Sequence, residues 1–292
     1  MAASPHFEFV ADLANAFNKG AICLPSFPDI VVRIRKTLEK EDVYVDQVVK
    51  VVKTDPALVS KLLVFANSAA HNPSGYPITS VDVAVSRLGF ELVKNTAVSL
   101  AVQQMFLAKK HRDIAPKLRA IWQDSMQLSA MCSAVADGRK QFDQDTAFVC
   151  GLLHYVGKLY ILTRAKEYPG FLSDDGMLQS VIDEWHPKVG TSVVESWEFG
   201  EDVARTLDTA EHVSPYTSKA PELVDVVATA ELLLAHVKAA VTAGKDPAQV
   251  EHDQAVSGHP SMARLGISDG DLPLLYVTFQ EKLSLVREAL TG

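Results

Sequence analysis

The chain has 292 residues, of which 48% are hydrophobic and 22% charged, and a formal net charge of −8. That length supports one large or two small packed domains, and only 15 Gly and 14 Pro argue against a low-complexity or disordered chain. The acidic balance counts against nucleic-acid binding, because the densest basic run, Lys109-Lys110-His111-Arg112, is short and lacks interleaved aromatics.

Helical spacing dominates in chain order. Val45, Val48, Val49 and Val52 repeat at helix spacing, although a β-branched run alone also permits a strand. Asp55-Pro56 is a helix start, an N-cap acid followed by proline at the first helical position. Leu58, Leu62, Phe65 and Ala66 form the apolar stripe behind it, and Asn72 to Pro77 reads as a turn. Thr79 and Asp82 resemble a capping box for the next helix, which Gly89 closes. Leu92, Val93, Thr96, Ala97, Leu100 and Ala101 make a further face.

Ile114 to Pro116 is the expected internal boundary, between lobes of residues 1–115 and 116–292. Beyond it Leu118, Ile121, Trp122, Ser125, Leu128 and Cys132 share one face of a long helix. Asp145 to Thr163 reads as one largely buried helix, Val203 to His212 as another, and Leu223 to Val241 as an amphipathic one. Residues 244–270 are the loosest stretch, before a terminal helix from about Leu272. No alternating-strand cluster or fixed-period repeat appears, so the expected class is all-α.

Cys23, Cys132 and Cys150 are far apart and form no CxxC pair, which fits buried reduced thiols and a cytoplasmic setting. The first residues lack the basic start and apolar core of a signal peptide. No apolar run is read as approaching the roughly 18 residues of a membrane span.

Several motifs occur in a fixed order. Leu24-Pro25-Ser26-Phe27-Pro28 resembles the LPxLP opening of HDOD (HD-related output) domains, and Asp55-Pro56-Ala57-Leu58 resembles their DPAL helix start. Ala66-Asn67-Ser68-Ala69 resembles ANSA, and Ile78-Thr79-Ser80 with Ala84, Leu88 and Gly89 resembles a further HDOD signature. Trp122 to Ser125 and Gly151 to Lys158 extend the resemblance over roughly residues 22–215.

The resemblance implies an HD-domain-like helical bundle with an added N-terminal helical lobe. In the related HD phosphohydrolases a histidine, an adjacent His-Asp pair and a later aspartate hold metals that activate water for attack at phosphorus. By that resemblance the first histidine falls at Asp124, the pair is His154-Tyr155, and the later aspartate aligns loosely with Glu231. A phenol is neutral near pH 7 and ligates hard divalent metals poorly. His186 and His212 sit where some relatives keep extra ligands. His154, His186 and His212 are therefore the positions for any residual metal, while the expectation is no metal, no cofactor and no catalytic residue.

Each of these side chains also has an ordinary structural reading. His154 suits a core histidine with bonded nitrogens, Asp124, His186, Glu211, His212 and Glu231 suit either an irregular set of nitrogen and oxygen ligands or solvated faces and ion pairs, and Gly157 and Gly190 suit packing contacts. The family resemblance implies a signalling output module that binds a protein partner, in trans or through self-association. The rival is a divergent metal-dependent phosphohydrolase, and a weaker one is a helix-turn-helix around Leu88-Gly89, against which the acidic charge counts. Asn67, Ser68, Asn72 and Ser80, clustered at helix ends and a turn, are the candidate interaction surface, with helix capping as the alternative.

Overall fold

A computed structural model describes residues 5–19, 22, 28–209, 220–245 and 258–291. Among these residues there is no strand, so the all-α expectation holds. The order is α1 (Pro5–Asn18), α2 (Asp29–Leu38), α3 (Val45–Val52), α4 (Pro56–Asn67), α5 (Val81–Leu88) and α6 (Phe90–Phe106). A 3-10 turn (Lys109–Ile114) leads into α7 (Ala115–Ala136), α8 (Gln144–Leu153), α9 (Val156–Ala165), α10 (Pro169–Leu172), α11 (Asp175–Ser196) and α12 (Glu201–Arg205). Then come α13 (Leu223–Thr242), α14 (Pro260–Leu265), a 3-10 turn (Asp269–Asp271) and α15 (Leu272–Thr291).

Local chemistry explains several boundaries. The Asp55 carboxylate accepts the N–H groups of Ala57 at 2.9 Å and Leu58 at 3.0 Å, so α4 starts where its cap lies. The expected Thr79–Asp82 box does not form: Ser80 occupies the cap position without a side-chain cap bond. Asp82 is drawn instead to Lys53 Nζ at 3.0 Å, an ion pair between helices that competes for the carboxylate. Gly89 ends α5 at φ +80°, backbone that favours glycine.

Two expected helices are interrupted. The stretch read as one helix from Asp145 to Thr163 breaks at His154–Tyr155 into α8 and α9. The bend lets α9 meet α11 backbone to backbone: a Cβ on Gly157 would stand 2.0 Å from the His186 carbonyl oxygen. By length and hydropathy Gln144–Ala165 could span a membrane, contrary to the sequence reading, but 72% of its apolar window is buried inside this bundle. Among the described residues the helix expected from Val203 to His212 is Glu201–Arg205, which ends before Thr206, and residues 210–212 lie outside the described residues. Ending there leaves the Thr206 carbonyl for His154, as described below. Glu211, His212, Cys23 and residues 24–27 of the opening motif lie outside the described residues. Helices α1 and α2 were not read from the sequence, and α2 has no side-chain N-cap bond that could mark its start.

One hydrophobic cluster runs from Phe9 to Val286 and crosses residue 115 without interruption. Helix α7 is its centre, packed against α8, α13 and α15. Trp122 and Trp197 are buried anchors, and Trp185 packs partly buried against the same cluster. Cys132 and Cys150 are buried free thiols, and burial pushes Cys150 up to about 12. Thiols so protonated are inert at neutral pH.

Candidate functional site

His154 caps the C-terminus of α8 with 2% of its side chain exposed. Its Nδ1 lies 3.1 Å from the Thr206 carbonyl oxygen, and its Nε2 lies 3.0 Å from Glu231 Oε1 on α13. Both partners only accept hydrogen bonds, so the arrangement is fully satisfied when both ring nitrogens carry hydrogens. The other Glu231 oxygen accepts the Thr209 hydroxyl at 2.8 Å. Burial pushes the Glu231 carboxyl up, but the His154 charge and hydrogen bond, with Thr209 and His186, outweigh it and hold the group below its usual range.

Asp124 and Tyr155 are engaged by lysines, whereas His186 is not fully paired. Asp124, on α7, bonds to Lys238 Nζ at 2.7 Å, across to α13. The Tyr155 ring sits 4.9 Å from the His154 ring, with Lys158 Nζ 4.1 Å above its face. Burial, then the carboxylates of Glu231 and Asp124, pushes the phenol well above its ordinary value, so it stays neutral. The His186 ring lies 6.2 Å from that of His154. Burial, then Lys158 and His154, lowers His186 to about 3, and its buried Nδ1 has no hydrogen-bond partner. Asp124, Tyr155, Thr209, Glu231, Lys238 and His259 line one open cleft.

Thus Asp124, His154, Tyr155, His186 and Glu231, picked from the sequence, come together in space. Thr206, Thr209, Lys238 and His259 were missed. Lys238 follows Glu231 by two helical turns on α13, which was a legible signal. His259 belongs to the stretch read as loose, where it caps α14.

Asn67, Ser68, Asn72 and Ser80 form a separate group. Asn67 Nδ2 donates to the carbonyls of Leu63 and Ile78, and its Oδ1 accepts the Ile78 N–H, each at 2.8 Å. Asn72 donates to the Tyr76 carbonyl at 2.7 Å and accepts Arg87 at 3.0 Å. Ser68 donates to the Phe65 carbonyl at 2.7 Å, and Ser80 makes a longer bond to Asp82 at 3.4 Å. Most of this polar chemistry is spent bracing the turn that holds Tyr76 at 80% exposure.

The HDOD domain model matches residues 24–213, a range that includes Asp124, His154, Tyr155, His186 and Thr206 but ends before α13, which carries Glu231 and Lys238. The chain belongs to the HDOD family. Among solved structures it resembles a Shewanella amazonensis SB2B protein, provisionally named a metal-dependent phosphohydrolase, at 20% identity and TM-score 0.75, over 98% of this chain and 99% of that one. It also resembles an HDOD domain protein of unknown function from Geobacter sulfurreducens, at 23% identity and TM-score 0.63, over 95% and 97% of the two chains. A Marinobacter aquaeolei VT8 protein, provisionally named a signal transduction protein, matches at 21% identity and TM-score 0.64, over 98% of this chain and 65% of that one. At such identities the likeness shows a shared fold. An uncharacterized protein of Treponema pallidum (strain Nichols) is 23% identical over 225 residues, 72% of this chain, and the match spans 42% of that protein's length.

HD relatives of an HDOD domain imply a metal at these positions, and the donor set tests that. A metal-bound imidazole needs a bare nitrogen facing the ion, whereas both His154 nitrogens face protein oxygens. Tyr155, at the position that the family resemblance gives to a bridging carboxylate, is a neutral phenol, and Asp124 is tied to an ammonium. Among the described residues no group of three or more His, Cys, Asp or Glu side chains is arranged to hold an ion. These donors do not fit a two-metal centre.

Proposed function

We propose that this HDOD chain is a non-enzymatic signal-transduction module that acts by binding a protein partner. The observation that carries the reading is the closed His154–Glu231 pair, with Thr206 and Thr209 taking the remaining acceptor and donor positions where metal chemistry would need open ones. The Marinobacter neighbour's name points the same way. The N-terminal lobe, residues 1–115, is the proposed partner-facing part, and its braced 72–78 turn offers the exposed Tyr76 as a contact. The partner is a cytoplasmic signalling protein, supplied in trans or as a second copy of the chain.

Two assays test this. Hydrolysis of bis-p-nitrophenyl phosphate with added manganese or magnesium is expected to stay at background. Metal-dependent turnover that vanishes in His154→Ala would establish the divergent phosphohydrolase instead. Capture of cytoplasmic proteins by the wild-type chain is expected to be lost in Tyr76→Ala at an unchanged melting temperature. An identical captured set removes the N-terminal lobe as the interface.

A further inference from the structure

A second cavity, of about 270 Å³, lies between α4, α6, α7, α8 and α15. It shares none of its lining with the His154 cleft. Its size is close to the lower limit of about 300 Å³ common for small-molecule sites. Phe65 and Phe148 supply aromatic surface, and Asn95, Ser99 and Asp145 supply polar groups.

Asn95 is the unusual member. Its side chain is 3% exposed, and neither the amide nitrogen nor the amide oxygen has a hydrogen-bond partner. It is near enough to Asp145 to favour that carboxyl's charged form, yet no bond of normal geometry joins them. A buried primary amide with both ends unmet is costly, and an apolar residue of the same shape in α6 avoids that cost. A group able to pair with both ends of the amide would remove that cost.

The surroundings narrow the chemistry. An amide offers a donor beside an acceptor in one plane, which pairs with a ligand edge carrying the same two groups reversed. Asp145 stands alongside as a second polar contact, its carboxyl raised by burial and by the like charges of Asp143 and Glu91. Those acids disfavour a buried phosphate. Lys282, the cation on the lining, is already bonded to Gln144 at 2.9 Å and paired with Asp137. The phenyl groups favour a flat ring.

We propose that this cavity binds a flat, uncharged heterocycle of the nucleobase class, read along one edge by the Asn95 amide and the Asp145 carboxyl. The helices around it come from both sides of residue 115, so the ligand would clamp α6 to α8 and α15. This proposal stands apart from the partner-binding reading and survives its failure.

The test uses the full chain and four probes: adenosine, guanosine, cytidine and uridine. At least one is expected to raise the melting temperature and to shift the Asn95 side-chain NH2 resonances of the wild-type protein. Asn95→Leu is expected to melt no lower than wild type without ligand and to weaken binding at least tenfold. Asp145→Asn, a near-isosteric change, is expected to alter which nucleoside is preferred. The proposal is overturned if no probe binds at millimolar concentration, or if binding leaves the Asn95 resonances unmoved. Binding undiminished in a folded Asn95→Leu overturns it as well.

Discussion

Buried polar groups near the two ends of α8 are in opposite states. At its C-terminus the His154 ring has both nitrogens met, one by the Thr206 carbonyl and one by Glu231. At its N-terminus Asp145 faces a cavity in which both ends of the Asn95 amide go unmet. A closed network stabilises the fold and leaves nothing over for a ligand, whereas an open one costs stability and keeps its bonding capacity. Resemblance to an enzyme family draws attention to the first end. The physical chemistry of unmet hydrogen bonds draws it to the second.

The contrast can be broken by substitution, and the largest effect is expected beside His154. Gly157→Ala puts a methyl group into the His186 carbonyl, which is backbone and has little room to move. About 3 kcal/mol or more of unfolding free energy is expected to be lost, as measured by urea denaturation. A loss under 1 kcal/mol would mean that α9 and α11 are not held in contact. Glu231→Ala comes next. It strands a buried imidazole, but the Glu231 side chain is 30% exposed, so the expected cost is about 2 kcal/mol rather than the full value for a buried pair. Asn95→Leu, by contrast, is expected to be neutral or stabilising. If both substitutions cost the same, the two ends of α8 do not differ as described.

The closed end is also expected to be acid-sensitive. His186 is held neutral down to about 3, against an ordinary value of 6.5, so the unfolded chain takes up its proton first. Stability is therefore expected to fall as pH drops from about 6.5 toward 3. The lowered Glu231 carboxyl adds to the loss as pH passes through its folded value. His186→Gln should flatten the upper part of that slope, followed by thermal melts from pH 7 to pH 4, and an unchanged slope would contradict the assignment. A smaller loss than at Glu231 is expected at the turn after α4. Asn67→Ala removes four bonds around an exposed turn, one of them a long 3.5 Å contact from Asn72, with an expected cost of about 1 kcal/mol.

Much of the fold was legible because its signals are local. Asp55-Pro56 marks α4 by a cap two residues wide, and Leu118 to Cys132 marks α7 by spacing. The break at His154–Tyr155 was not legible, because it depends on contacts with Thr206 and on the α9–α11 approach, both far away in sequence. The end of α12 and the engagement of Asp82 by Lys53 were hidden for the same reason. His154 was picked from its motif and Glu231 only from a loose alignment, and the structure brings the two into contact. Thr206 contributes through a backbone carbonyl, which no residue type advertises, and Asn95 looked like any polar residue on an apolar helix.

The most direct test of the closed His154 site is the metal content of the full chain purified without chelators, followed by titration with manganese. The account predicts well under one ion per chain and no saturable site that involves His154. One or more ions held per chain, with metal-induced shifts of the His154 ring resonances, would contradict it.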